Sequence, residues 1–329
     1  MPRAETVAPR PIPTSFIFLL AFAVHAPLLL MKLPLKSYDG NFHIFFASHY
    51  VHHWFDPWNS KWYAGFSQTT YPPLPQQWLA LVSYVTGLDM AYMVVQFVAI
   101  LLLTLGVYRF ARLWVDPRAA SLAALASVFL GAESFLVYSA GQLSTTFAAP
   151  LYLNAMPYLY QWARRGGWRS FLKGATLAVA AAAAHNATLI FGSLLFALPV
   201  LALAWRDAKE DEQVSTAGFI TRVVSAVLFV AVGIGAVLLP FWIALIKYPV
   251  TQVPIPHASR ASYILSPEWA VNFFVVPYGA LILALPFILL RGSSTPRLRP
   301  CCWVSGWPSC WDWAARRPLA ECFSAAALK

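Results

Sequence analysis

The chain has 329 residues, of which 59% are apolar and only 11% are charged, with a formal net charge of +10. Soluble globular domains are less apolar and more charged, so this composition excludes an ordinary soluble domain and indicates a multi-pass membrane protein. The positive charge does not indicate a nucleic-acid partner, because the lysines and arginines occur as short clusters between apolar runs.

Apolar runs recur along the chain, and a helix needs about 20 such residues to cross a bilayer. They predict an all-α bundle of about eight transmembrane helices within a membrane domain, residues 1–291. The spans are predicted near 14–31, 90–113, 118–138, 143–163, 170–185, 187–205, 216–246 and 271–291. The apolar stretch 76–88 is short and lies between turn signals, which favours an interfacial helix in a long first outer loop, 32–89.

The distribution of basic residues predicts the orientation of this bundle. With the N-terminus in the cytoplasm, thirteen lysines and arginines fall on the inner side and five on the outer side. Cytoplasmic loops carry such an excess of basic residues. Counting 76–88 as a further span would place the clusters 109–118 and 164–173 outside. The sequence therefore predicts a multi-pass protein of the cytoplasmic (inner) membrane with a cytoplasmic N-terminus.

Most ionisable groups other than the basic clusters fall on the predicted outer side, beginning directly after the first span. Asp39 and His43 are i, i+4 neighbours on a helix predicted over 39–54. Such a pair can bind a divalent metal, or the carboxylate can orient the imidazole for proton transfer. The alternative is that Asp39 caps the helix and the histidines of 43–53 are interfacial residues with polar tips.

Three further outer turns carry polar groups. Tyr71 precedes a diproline that fixes the return of the first outer loop to the membrane. The His185-Asn186 turn separates two spans with almost no loop, so its polar groups must face protein or a wet cavity. The turn 139–146 brings Gln142 near Glu133, which is either part of a polar network or a carboxylate that reaches outer water. On the inner side, residues 206–212 are interpreted as a solvated loop of mixed charge.

The order of these features resembles a known family. The features are the acid after the first span (38–43), the Tyr-Pro-Pro-Leu return (71–74), the Gln/Thr turn, the His-Asn turn and residues 253–257. Together they resemble the bacterial and archaeal membrane proteins labelled "6-pyruvoyl-tetrahydropterin synthase-related", which are similar to the GT-C superfamily of membrane glycosyltransferases. The pterin label is disregarded, because soluble pterin synthases have an unrelated small α/β fold.

The resemblance implies sugar transfer from a polyprenyl-phosphate donor at the outer membrane surface. Asp39 matches the acid that acts as base or metal ligand in GT-C enzymes, and His43 and His185 match by position. Many GT-C members carry a second acid beside the first, which this sequence lacks, so a divalent metal stays an open possibility. The candidate substrate-binding residues, including outer cations for the lipid phosphate, are Lys36, Lys61, Tyr71, Gln142, Asn186, His257 and Arg260.

Residues 292–329 differ from the rest of the chain. They contain all four cysteines, Cys301, Cys302, Cys310 and Cys322, in a spacing that matches no zinc pattern. The expectation is a poorly ordered tail derived from a shifted reading frame, and hence a truncated chain. Two other functions remain open at this stage: a transporter or flippase of a lipid-linked or polar solute, and a non-catalytic membrane subunit.

Overall fold

The computed structural model describes residues 10–62, 65–68, 72–211 and 214–247. Within these ranges the protein is mostly helical, as the apolar runs predict. The helices are α1 (Thr14–Leu30), α2 (Gly40–Tyr50), α3 (Leu74–Thr86), α4 (Leu88–Ala111), α5 (Pro117–Val128), α6 (Gly131–Ser134), α7 (Leu143–Arg165), α8 (Trp168–Ala184), α9 (Asn186–Gly192), α10 (Leu198–Glu210), α11 (Thr216–Val237) and α12 (Leu239–Lys247).

Shorter elements complete the description. A 3-10 turn (Leu33–Lys36) follows α1, and π-helical segments (Phe135–Ala140 and Ser193–Ala197) follow α6 and α9. The only strands in the described part are β1 (Trp58–Asn59) and β2 (Phe66–Ser67). These pair antiparallel, with Trp58 opposite Ser67, and form a small hairpin in the predicted first outer loop.

Four helical stretches are long and apolar enough to cross a membrane. They are Leu88–Ala111, Pro117–Ala140, Asn186–Glu210 and Thr216–Val237. Helix α1 is apolar but has only 17 residues, and α7 and α8 also lie at predicted spans. The structure thus confirms an all-α, multi-pass membrane architecture in coarse form. The last predicted span, 271–291, lies outside the described residues, as do the tail and the candidates Tyr71, His257 and Arg260.

Helix α7 lies at the centre of the bundle and packs against α4, α8 and α10. The contact with α8 is close because that helix presents alanine and glycine. A Cβ added at Gly174 would lie 2.9 Å from the side chain of Leu159. Helix α11, by contrast, packs against its neighbours along a narrow strip, and its apolar residues point outward. An outward apolar face is what a membrane-embedded helix requires.

The ends of the segment 32–89, the predicted first outer loop, are tied together. Lys32, just after α1, donates to the carboxylate of Asp89 in the first turn of α4, with 2.9 Å between Nζ and Oδ2. Between them, α3 begins at Leu74, two residues before the predicted start, because Pro75 suits the first turn of a helix. It ends at Thr86 and is followed by Gly87, whose positive φ of 75° is readily adopted only by glycine. Its position relative to a membrane interface stays a prediction.

One prediction about the inner side is wrong. Residues 206–212 were expected to form a solvated loop, but most of them belong to the last turns of α10. Asp207 is buried there, and its Oδ2 accepts a hydrogen bond of 2.6 Å from the Tyr160 hydroxyl of α7. Charged residues at a helix end are compatible with helical winding, and their partners on α7 could not be read from the local sequence.

Candidate functional site

Two turns that are distant in sequence press together at one end of the bundle. The backbone nitrogens of Tyr38 and Asp39 each donate to the other turn, to the oxygens of Ser139 and Ala140, both at 3.0 Å. Gly141 follows with φ 68°, and a Cβ there would lie 2.7 Å from the Gly40 nitrogen. Glycine is therefore required at position 141 both by its backbone angle and by the lack of space.

Asp39 projects its carboxylate into this junction. The residue precedes α2, but its side chain makes no capping bond to that helix. Instead, Gln142 donates its amide to Oδ2 of Asp39 across the junction. Asp39 is half-buried, and this burial raises its pKa above the ordinary value, while the hydrogen bond from Gln142 counteracts the rise. A carboxylate with a raised pKa is a better proton acceptor than an exposed one.

His43 lies one turn further along α2 and is 1% exposed. Its Nδ1 is 3.0 Å from the side-chain amide of Gln76 on α3. With the amide oxygen towards the ring, the amide nitrogen also donates to the backbone oxygen of Pro72 at 3.0 Å. Burial lowers the pKa of His43 to about 4, although a hydrogen bond to the Gly141 backbone acts in the opposite direction. The ring is therefore neutral at neutral pH and connects α2, α3 and the Gly141 turn.

His185 reaches the same region from the turn between α8 and α9. Its Nδ1 lies 2.9 Å from the hydroxyl of Thr188 and 3.5 Å from that of Thr145 in the first turn of α7. Because Gln142 and Thr145 are one helical turn apart, the start of α7 contacts both Asp39 and His185. The structure thus brings these two predicted residues to the same end of the bundle. Asn186 begins α9 next to them and is exposed.

The predicted outer cations lie nearer the surface. Lys36 is exposed on the 3-10 turn that packs against the π-helical segment before Gly141. Lys61 is exposed beside the hairpin, where its backbone nitrogen donates to the side-chain oxygen of Asn59 at 2.9 Å. None of the ion pairs within the described ranges involves either ammonium group.

Two further histidines of the predicted first outer loop, His49 and His53, stack on each other, and His49 also bonds to the backbone. The rings of His49 and His53 stack at 4.8 Å between centroids, and Nε2 of His49 is bonded to the Asp56 backbone oxygen at 2.7 Å. Burial lowers the pKa of His49. Across the part of the chain that the structure describes, no group of three or more His, Cys, Asp or Glu residues is placed to hold a metal ion.

Sequence reasoning missed the partners of His25. This residue of α1 is buried, and its ring bridges the Val128 backbone oxygen (2.9 Å from Nε2) and the Tyr138 hydroxyl (2.8 Å from Nδ1). The sequence signal that could have indicated a buried polar contact here was the single histidine, His25, within the apolar run of α1. Glu133 is also buried and does not extend into outer water, the alternative considered from the sequence.

The opposite end of the bundle carries basic residues. Arg109 of α4 donates to Asn154 of α7 at 3.0 Å and stacks over the Tyr158 ring. Arg164 pairs with Asp211 after α10, with 2.8 Å between its Nε and Oδ2. A shallow cavity of about 210 Å³ lies at this end and is lined by Pro157, Tyr160, Gln161, Arg164 and Arg165. The cavity is formed by residues near the C-terminal end of α7, whereas Asp39 contacts the start of that helix.

The apolar helices and the two chemically distinct ends define a multi-pass helical membrane protein. Comparisons with protein-family models, with curated proteins and with solved structures find no match for the chain. The function is therefore argued from the junction around Asp39 and from the motif order in the sequence.

Proposed function

We propose that the chain is a membrane glycosyltransferase that moves a sugar from a polyprenyl-phosphate donor to an acceptor hydroxyl outside the cytoplasmic membrane. The observation that carries the proposal is the half-buried carboxylate of Asp39, held by Gln142 where the first outer loop meets the start of α7. The resemblance of residues 38–43 to the acid motif of GT-C enzymes supports the same assignment. The proposal includes a GT-C-like bundle of about eight spans with a cytoplasmic N-terminus.

Asp39 is proposed as the general base. Its carboxylate accepts the proton of the acceptor hydroxyl as that oxygen attacks the anomeric carbon of the donor sugar. The bond between this carbon and the phosphate oxygen breaks, and polyprenyl phosphate leaves with the bonding electrons. The new glycosidic bond and the proton on Asp39 balance the step. Gln142 keeps the carboxylate in place, and His43 keeps the Gly141 turn in place.

The leaving phosphate gains negative charge, which a nearby cation stabilises. Lys36 and Lys61 are exposed at the same end of the bundle and are proposed to bind the lipid phosphate, together with Arg260 beyond the described residues. Tyr71, Asn186 and His257 are proposed to contact the donor or acceptor. A divalent metal could be shared between Asp39 and the phosphate, and the test below therefore includes a chelator. His43 is not proposed as a ligand of this metal, because its ring is bonded to Gln76 and to the Gly141 backbone.

The proposal is tested by replacing Asp39 with Asn in the full chain. Membranes carrying the protein are given a panel of polyprenyl-phosphate sugars, and transfer to acceptor is measured with and without a chelator. We expect Asp39→Asn to abolish transfer, because the amide cannot accept the proton. The matched control is Asp89→Asn, which removes an exposed acid paired with Lys32 and should retain activity. Full activity of Asp39→Asn in correctly inserted protein would contradict the proposal.

A transporter or flippase of a lipid-linked or polar solute is the second candidate. Glu133 favours it, because this buried acid follows a break in a candidate span, and broken helices with buried polar groups occur in transporters. Movement of the polyprenyl-phosphate lipid between the leaflets of vesicles that carry the protein, measured beside the transfer assay and found without sugar transfer, would favour this second function.

A further inference from the structure

The candidate span Pro117–Ala140 is interrupted by a break next to Glu133. Helix α5 ends at Val128, and Leu130 has an extended backbone (φ −68°, ψ 113°) before α6 begins. Glu133 lies in α6 and is 9% exposed, and its Oε1 has no hydrogen-bond partner among the residues that the structure describes. None of the ion pairs formed by the described residues includes Glu133.

An ionised carboxylate in such a position is strongly unfavourable. Removing the charge from water is strongly opposed unless a cation or several hydrogen-bond donors replace the hydration. Protonation removes this penalty and also gives the group a donor, since a neutral carboxylic acid carries one O–H. The surroundings of Glu133 therefore favour the protonated carboxyl group over the ionised carboxylate.

Beyond Glu133, hydrogen bonds link Tyr138 of the π-helical segment to His25 of α1. The Val128 oxygen can only accept, so Nε2 of His25 carries the hydrogen between them. In the neutral ring Nδ1 then accepts from the Tyr138 hydroxyl, at 2.8 Å. The Tyr138 oxygen keeps lone pairs for another donor, and Tyr138 follows Glu133 by five residues, about one turn where α6 continues into the π-helical segment.

We propose that Glu133, Tyr138 and His25 form a proton-binding site inside the membrane domain, with Glu133 present as a neutral carboxylic acid at neutral pH. The site is separate from the Asp39 junction and does not depend on sugar transfer. It provides one exchangeable proton at the break between α5 and α6, about one helical turn before Tyr138, whose hydroxyl is hydrogen-bonded to His25 of α1.

The charged groups of the adjacent elements do not replace this proton. Helix α1 contributes His25, whose two ring nitrogens are both engaged. The 3-10 turn that packs against the π-helical segment contributes Lys36, which is exposed, and Asp39 beyond it is bonded to Gln142. In α4, Asp89 is paired with Lys32.

The test is infrared spectroscopy of the full chain at neutral pH in vesicles of ether-linked lipids, which lack the ester carbonyl groups that absorb in the same region. A protonated carboxyl group gives a carbonyl band above the amide I region that shifts in D2O. We expect one such band in the wild-type protein, its loss in Glu133→Gln, and its retention in the control Asp89→Asn. Glutamine has nearly the shape of the neutral acid, so thermal unfolding of Glu133→Gln should match that of the wild type.

Two measurements decide the proposal even if a variant folds poorly. Labelling the wild-type protein with carboxyl-13C glutamate should shift the band, whereas labelled aspartate should leave it in place. Tyr138→Phe should change the band frequency, because it removes the phenol next to the acid. Absence of the band at neutral pH, or a band that responds only to aspartate labelling, would overturn the site. An unchanged frequency in Tyr138→Phe would overturn the role of Tyr138. Sugar-transfer activity is measured separately and does not enter this result.

Discussion

Asp39 and His43 lie one helical turn apart, but their surroundings give them different chemistry. Asp39 is half-buried and bonded to Gln142, so its carboxylate remains at the edge of the bundle. His43 is almost fully buried against Gln76 and Tyr92, whose ring stacks on it with 6.4 Å between centroids. The acid suits proton transfer, and the histidine suits the positioning of the turn that presents the acid.

The burial of His43 predicts a pH dependence of stability. An unfolded chain protonates this histidine near pH 6.5, whereas the folded protein keeps it neutral to a pH of about 4. Unfolding therefore takes up a proton between these values, and the stability present above pH 6.5 is lost as the pH falls towards 4. Because one proton is taken up, the free energy of unfolding at pH 4 is lower by roughly 3 kcal/mol than at pH values above 6.5. It is measured as thermal unfolding in detergent across this range.

The matched pair His43→Gln and His52→Gln isolates this contribution. The first variant should flatten the pH dependence, because the titrating group is gone, while the second alters an exposed histidine and should leave the slope as in the wild type. Equal slopes in wild type and His43→Gln would show that this ring is not the group that destabilises the fold in acid.

At the scale of elements, a charged network joins α7 to the end of α10. Arg164 donates to Asp211 and to the Tyr160 hydroxyl, and that hydroxyl donates to Asp207. Asp207 is also near two cations: Arg164 lies 3.9 Å from its carboxylate and Arg206 lies 2.7 Å from it. Removing one member of a network that is mostly shielded from water leaves opposite charges with less compensation.

Arg164→Ala is therefore expected to be more harmful than a surface substitution. We expect a loss of roughly 2 kcal/mol of unfolding free energy, below the range for fully buried pairs because this network is partly exposed. The comparison is Lys32→Ala, which breaks the exposed pair with Asp89 and should change stability by less than about 1 kcal/mol. Both are measured by thermal unfolding in the same detergent. Equal losses would contradict a stabilising role for the network.

Helix positions followed from apolar runs because a helix in a membrane must be apolar over much of its length. The break between Val128 and Gly131 was not predicted, since its residues are as apolar as their neighbours. The acid motif located Asp39, but its partner Gln142 comes from a turn about a hundred residues away. Contacts of this kind depend on tertiary packing, which local periodicity does not encode.

At the scale of the whole molecule, the two ends of the bundle differ in chemistry. One end carries Asp39 and His185 at the start of α7, and the other carries Arg109 and Arg164. The sequence predicted this separation from alternating spans and basic loops. The positive-inside rule assigns the arginine-rich end to the cytoplasm.

Cysteine labelling tests that orientation, because the only native cysteines lie between positions 301 and 322. In a variant with these four changed to serine, Lys61→Cys and Arg118→Cys add single exposed thiols at opposite ends. A membrane-impermeant thiol reagent should label Lys61→Cys in intact cells and Arg118→Cys only after permeabilisation. The reverse pattern would invert the orientation, and labelling of both in intact cells would contradict the span assignment.

The π-helical segment Phe135–Ala140 has a consequence for how such a protein can change. A π-helical turn accommodates an extra residue relative to α winding. Losing one residue there would let the segment return to α winding, so that Gly141 and Gln142 would keep facing Asp39. A single-codon deletion inside this segment would thus leave the acid coupled to its amide, whereas the same deletion in regular α-helix turns every later residue by about 100° around the axis.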